Sequence, residues 1–347
     1  MAPDTQDQQL LDPVDRAIIE ALQVSPRATW TAVGEVVGVD PVTVARRWTR
    51  LSESGVAWVT ATGAAAPDGG GAAALVDIAV ASEHLDAAAR HIAADPYVFT
   101  LERATGAHAL TAIVGAPDMS RLVGQSLERI ERTPGVRAVE IHLVTRIFLE
   151  ASRWRMRGLT PAQSSRLKEL APAPPARPGR GAPPDEVVMG ILAADGRASG
   201  TDIAAALGTS VHTARRRLDR VLASGRLVFR CDVAQPFTGW PVCATFRATV
   251  APARAGAIAQ TLSSLPEIRM CAACTGPHNI QISVWLRSVD DVHRLESLLA
   301  ERLPDLHIAD RVIVLRQYKA SGRILDASGR ATPVLPTAPT PSETPPE

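Results

Sequence analysis

The chain has 347 residues, of which 46% are hydrophobic and 21% charged, with a formal net charge of +1. This is the composition of a globular chain with several small cores, and it excludes one governed by disorder or by a single sign of charge. No apolar run reaches the roughly 20 residues needed to span a bilayer, residues 1–11 lack the apolar centre of a secretory leader, and the four cysteines fall in the second half, so the expected location is cytoplasmic.

Taken in order, Asp12-Pro13 reads as a helix cap followed by proline at the first helical position, and Val14, Ile18 and Leu22 mark one apolar face. Thr29 opens a second short helix that carries Val33, Val36 and Val37 and stops at Gly38. Asp40-Pro41 repeats the cap signal, and a third helix runs through Val44, Trp48 and Leu51 to Gly55. Three short helices with a glycine turn before the third predict a helix-turn-helix domain over 12–62. Its last stretch, 56–62, is β-like and suits either a wing or a strand leading onward. A βαββαβ pattern follows over 72–150, with elements near 73–81, 83–94, 97–104, 108–115, 118–132 and 136–149. That order predicts a ferredoxin-like domain with helices on one sheet face and the other face open to pair with another copy. Between 151 and 184 basic residues outnumber acidic ones by seven to one. There Thr160 caps a short helix to about Leu170, and a Pro/Ala/Arg-rich spacer covers 171–184.

From residue 185 the chain repeats itself at an offset of about 170 residues. Asp15, Arg27, Gly38, Thr43, Arg46, Arg47 and Arg50 recur as Asp185, Arg197, Gly208, Thr213, Arg216, Arg217 and Arg220. Pro96, Thr105, Gly106, His108 and Arg146 recur as Pro266, Thr275, Gly276, His278 and Arg316. A second helix-turn-helix is expected over 185–233, with a capping box from Ser199 to Asp202. A second ferredoxin-like domain is expected over 240–320, with elements near 242–250, 252–264, 267–274, 278–286, 288–302 and 306–318 and a capping box from Ser288 to Asp291. The termini, 1–11 and 331–347, read as disordered. The expected fold class is α+β: two repeats, each a three-helix helix-turn-helix domain followed by a βαββαβ ferredoxin-like domain. Such a chain supplies alone what a symmetric homodimer supplies with two.

A helix-turn-helix reads DNA with the N-terminal half of its second helix. In the first copy that helix presents Val42, Thr43, Arg46, Arg47 and Arg50, and positions 43, 46, 47 and 50 lie on the side opposite Val44, Trp48 and Leu51. In the second copy it carries His212, Thr213, Arg215, Arg216, Arg217 and Arg220. Arginine takes guanine bidentately or clamps phosphate, and threonine meets a phosphate or a thymine methyl.

The stretches Leu11-Asp-Pro-Val-Asp-Arg16, Val42-Thr-Val-Ala-Arg-Arg-Trp-Thr-Arg-Leu51 and Val211-His-Thr-Ala-Arg-Arg-Arg-Leu-Asp-Arg220, followed by βαββαβ domains, resemble the Lrp/AsnC family of transcriptional regulators, here in tandem. The resemblance implies double-stranded DNA as a partner, homo-oligomers built through the ferredoxin-like domains, and an amino-acid-like effector bound near the turn after the second strand. That turn is Thr105-Gly106-Ala107-His108-Ala109 in one copy and Thr275-Gly276-Pro277-His278-Asn279 in the other. The family's acidic residue is absent at Ala109 and Asn279, which removes a natural partner for an ammonium group.

Cys271 and Cys274 form a CxxC on an expected strand, without a second cysteine pair or a helix N-terminus, so no redox or metal role is assigned to them. No catalytic constellation, metal site, cofactor or membrane partner is expected. The leading reading is a sequence-specific transcriptional regulator in which unlike heads read two half-sites. The alternatives are an architectural DNA-wrapping protein with weak sequence preference and a metabolic or redox enzyme built on ferredoxin-like domains.

Overall fold

The computed structural model describes residues 11–63, 71–171, 185–225 and 227–332. The expected disordered termini, apart from residues 11 and 331–332, and all but the first residue of the 171–184 spacer lie outside the described residues. Along the first copy run α1 (Pro13–Val24), α2 (Trp30–Val37), α3 (Pro41–Glu53), β1 (Ala57–Gly63), β2 (Ala72–Val80), α4 (Leu85–Ala93), β3 (Val98–Ala104) and β4 (Leu110–Ala116). A helix in three pieces follows: α5 (Met119–Arg121), a π segment (Leu122–Leu127) with Gly124 inside it, and α6 (Glu128–Glu131). The copy ends in β5 (Val136–Leu149), and α7 (Pro161–Leu170) leads to the second copy. There α8 (Glu186–Ala194), α9 (Gly200–Leu207), α10 (Val211–Ala223), β6 (Leu227–Val233), β7 (Val242–Thr249), α11 (Ala255–Leu262), β8 (Ile268–Cys274), β9 (Ile280–Leu286), α12 (Asp291–Arg302), β10 (His307–Ala320) and the short β11 (Arg323–Ile324) follow the same order. None of the described helices is long and apolar enough to cross a membrane.

The capping chemistry behaves as the sequence suggests, with one exception. Asp12 accepts from the Asp15 N–H, Thr29 from Ala32, Asp40 from Val42, and Ser199 and Asp202 form a reciprocal box. At α12 only half of the expected box forms: Asp291 accepts from the Ser288 N–H, while the helix has no side-chain cap.

The chain divides into two units, and each draws on both copies. The first unit holds residues 9–69 and 155–234, the helical domains. Ile18, Leu22, Val33, Val44, Trp48 and Leu51 are buried in the first trihelical core, and each such side chain contributes roughly 1.5–3 kcal/mol by leaving water. β1 and β6 pair antiparallel in a two-stranded sheet, so the run left open as wing or lead-in is the seam between the two heads. In that register Thr60 faces Arg230, its own counterpart in the other copy, so a pseudo-twofold axis passes between them. Arg27 donates to the carbonyls of Gly196 and Ala198, and Arg197 donates to those of Pro26 and Ala28. Gly158 and Leu159 donate to the Glu20 carboxylate, and α7 docks through Gln163 to the Val36 carbonyl.

The second unit holds residues 70–154 and 235–347. The two sheets do not stay separate and meet by open faces, as the sequence led one to expect, but join by their edges. Strands β10-β3-β4-β2-β5-β8-β9-β7 run edge to edge, and β7 pairs again with β10, which closes an eight-stranded ring. The cause is length. β5 and β10 each have 14 residues, about twice the length of their neighbours, or roughly 46 Å of extended chain. The first half of β5 pairs with β2 and its second half with β8; the first half of β10 pairs with β7 and its second half with β3. Each copy thereby covers the exposed edge of the other. The helices pack on the outer faces, over cores that include Ile78, Ile92 and Leu110 in one copy and Phe246, Leu262 and Ile282 in the other.

Candidate nucleic-acid interface

The recognition helices α3 and α10 are amphipathic, with Val44, Trp48 and Leu51 buried on one and Ala214, Leu218 and Val221 on the other. Val42 stands 76% exposed at the start of α3, and Arg46 and Arg50 are exposed beyond it. Of the residues expected on α10, His212, Arg215, Arg216 and Arg220 are exposed and Thr213 is half-buried as Thr43 is.

Two of the expected DNA contacts are placed otherwise. Arg47 reaches back to α1 and pairs with Asp12 at 2.6 Å and Asp15 at 2.9 Å. Its counterpart Arg217 pairs with Asp185 at 2.6 Å through two hydrogen bonds. The Arg217 guanidinium holds the Asp185 carboxyl below the usual carboxylate range. These arginines bind the third helix to the first. Sequence periodicity placed them on the polar side of the helix but could not supply the carboxylates 32 residues earlier. Arg50 is shared: it stands exposed, yet Nη2 lies 2.5 Å from Asp15.

The heads differ along this surface. Val42, Ala45 and Thr49 in α3 correspond to His212, Arg215 and Asp219 in α10. Arg215 is seated by Gly200, where a Cβ would fall 2.4 Å from its Cγ. The first copy has Trp30 and Ala45 in those places, and Trp30 instead packs against Trp48 and beneath the Arg197 guanidinium, 3.9 Å away.

In the ring unit the Thr-Gly turns lie at the seams. Thr105 N–H donates to the Ile313 carbonyl and its hydroxyl accepts from the Ile313 N–H; Thr275 does the same with Leu143. Gly106 and Gly276 have φ of +99° and +107°, a conformation that favours glycine. Thr105 and Thr275 tie the two copies together while the glycines shape the turns, a role their own sequence neighbourhood does not reveal. Asn279 uses both ends of its amide on the Val250 backbone. Beside it opens a cleft of about 520 Å³ that includes Arg146, Phe148, Pro252, Asn279 and Ile280. His278 accepts at its carbonyl from the Cys274 thiol, and its Nδ1 is buried without a partner among the described residues.

His108 brings a ring nitrogen within 4.8 Å of carboxylate oxygens of Asp77 and Glu140. Arg247 already neutralises Asp77 at 2.6 Å and its charge opposes a cation there, so no metal is assigned to this trio. Cys271 and Cys274 are buried free thiols on β8, and burial pushes Cys271 up to about 12, which disfavours the thiolate that redox chemistry and metal binding require.

The fold and these surfaces define an α+β helix-turn-helix protein with paired ferredoxin-like domains. Residues 11–52 match the AsnC-type helix-turn-helix domain, and residues 73–154 and 243–324 each match the Lrp/AsnC ligand binding domain. The chain thus contains one AsnC-type helix-turn-helix domain and two domains of the Lrp/AsnC ligand-binding type. Over 120 residues, 34% of this chain, it is 27% identical to an uncharacterized HTH-type transcriptional regulator of Pyrococcus abyssi and covers 74% of that protein. A Pyrococcus furiosus protein of the same description is 29% identical over 120 residues, 34% of this chain and 79% of the relative. Among solved structures, the siroheme decarboxylase NirDL shares the fold across 89% of this chain and 93% of its own, with a TM-score of 0.52 and 12% identity. E. coli AsnC aligns with 40% of this chain and 94% of its own at 21% identity and a TM-score of 0.33.

Proposed function

We propose that this protein is a transcriptional regulator of the Lrp/AsnC type, a tandem duplication that acts as a covalent pseudo-dimer and reads two unlike DNA half-sites. The observation that carries this is the pair of recognition helices in one helical unit, each presenting a threonine and two outward arginines, Arg46 and Arg50 or Arg216 and Arg220. Thr43 and Thr213 anchor the register, and Arg46 and Arg216 read guanine or clamp phosphate. Val42 favours a thymine methyl where His212 offers a ring nitrogen, so the halves of the operator differ. Covalent linkage makes the second half-site binding intramolecular once the first head is engaged.

Sensing belongs to the cleft beside Asn279, where Arg146 supplies a cation for the carboxylate of an amino-acid-like effector. With the Asn279 amide spent on Val250, an ammonium group lacks a dedicated acceptor there, which favours small acids over ordinary amino acids. The chain is proposed to be cytoplasmic, to form homo-oligomers and to be non-catalytic.

Genome-wide occupancy followed by footprinting tests the reading. Discrete sites with an asymmetric motif are expected. Broad protection without sequence preference would replace it by an architectural DNA-wrapping role, and perfect palindromes would remove the unlike half-sites. An enzyme of the kind whose fold is shared would take an iron tetrapyrrole, so titration with one should leave its absorbance spectrum unchanged; a saturable spectral shift would overturn the non-catalytic assignment.

A further inference from the structure

The ring unit contains a charge arrangement that a symmetric dimer cannot have. Asp77 on β2 and Arg247 on β7 are the same position in the two copies, yet they are in contact, Arg247 Nη2 lying 2.6 Å from Asp77 Oδ1. Equivalent residues that touch must straddle the pseudo-twofold axis. Two first copies would set Asp77 against Asp77 there, and two second copies Arg247 against Arg247. Both side chains are largely buried, 6% and 16% exposed, so solvent would do little to screen either like-charge pair; Asp310, 3.8 Å from Arg247, and His142, 3.6 Å from Asp77, are longer contacts that offset only part of the repulsion.

The seams carry the same message. At the β10–β3 seam Gln317 faces Glu102 and donates to it at 2.8 Å; at the β5–β8 seam the equivalent pair is Ile147 and Ala272. Two first copies would oppose Glu102 with Ile147, and two second copies Ala272 with Gln317, so each exchange strands a polar group. Lys319 is fully buried at the first seam, donating to the carbonyls of Ala93 and Asp95, while its counterpart Leu149 faces Cys271 at the second.

We infer that the closed ring is a heterotypic lock: the Asp77–Arg247 pair and the unlike seams admit only one first-copy and one second-copy ferredoxin-like domain, so the partner each domain fits is its unlike half and never its own kind. This rests on the ring unit alone and does not depend on DNA binding. A second chain can then join the ring only by lending an unlike half.

Charge reversal in the full-length chain tests this, because each single variant recreates one forbidden pairing in cis. Asp77→Arg places arginine against arginine, and Arg247→Asp places aspartate against aspartate. Each is expected to lower the folded-to-unfolded ratio by about ten-fold or more, or to prevent folding, while the double reversal recovers most of that loss. At the seam, Gln317→Ile alone is expected to weaken the fold and Glu102→Ala with Gln317→Ile to restore it. Singles that unfold like the parent protein, or double variants no more stable than the weaker single, would overturn the lock.

Discussion

The two units join the same pair of copies by opposite means. In the helical unit the junction is made by like residues: Arg27 and Arg197 are equivalents, and each donates to carbonyls of the other copy. Carbonyls are present in any copy, so these hydrogen bonds would form in a homodimer as well. In the ring unit the junction is made by side chains that must differ, Asp77 with Arg247 and Glu102 with Gln317. The comparison teaches that backbone-directed contacts preserve symmetry after duplication, whereas contacts between charged side chains allow the copies to become dependent on each other.

Within the heads, Asp15→Ala is expected to have the largest effect. Asp15 is buried and holds both Arg47 and Arg50, so its loss should cost about 3–4 kcal/mol, against about half that for Asp185→Ala. Denaturant unfolding measures both, and equal losses would erase the difference between the heads. Next comes Lys319, whose ammonium is pulled by burial down to about 8 from the ordinary 10.5. Between those pH values the unfolded chain binds the proton and the folded chain does not, so stability should rise with pH across the window, by about 3 kcal/mol in all. Lys319→Leu, which copies Leu149 of the other seam, should lose that rise; parallel stability–pH curves for the two proteins would contradict it.

At the like-residue junction, Arg197→Ala should cost about 2 kcal/mol and Arg27→Ala about 1, because Arg197 lies 3.9 Å over Trp30 while Arg27 lies 5.5 Å from the Phe229 ring centre. Burial pulls the Arg197 guanidinium down to about 10, consistent with its being the more enclosed of the two. Identical thermal shifts would make the junction fully symmetric. The smallest effect concerns salt. Arg215→Ala should weaken DNA binding by several-fold on all sequences and flatten the salt slope by about one, while Arg216→Ala relaxes one half-site by about ten-fold. An unchanged slope would remove Arg215 from the phosphate contacts.

Much of this was legible in the sequence. The 170-residue offset, the capped helices at Asp12, Thr29 and Asp40, and both βαββαβ orders follow from local chemistry, since caps, prolines and hydrophobic periods act within a few residues. The ion pairs of Arg47 and Arg217 were not legible, because their partners lie on another helix. The seam hydrogen bonds of Thr105 and Thr275 were not legible, because they go to a strand of the other copy.

By itself the sequence determined that there are two copies, what each is made of, and that their exposed arginines differ. Only the tertiary structure decided how the copies meet: β1 against β6, long strands crossing to the opposite sheet, and Asp77 against Arg247. The physical reason is range. A helix cap is settled by its neighbours in the chain, but an ion pair between residues 77 and 247 exists only after two sheets have closed into one ring, and the offset alone does not reveal that equivalent positions will touch.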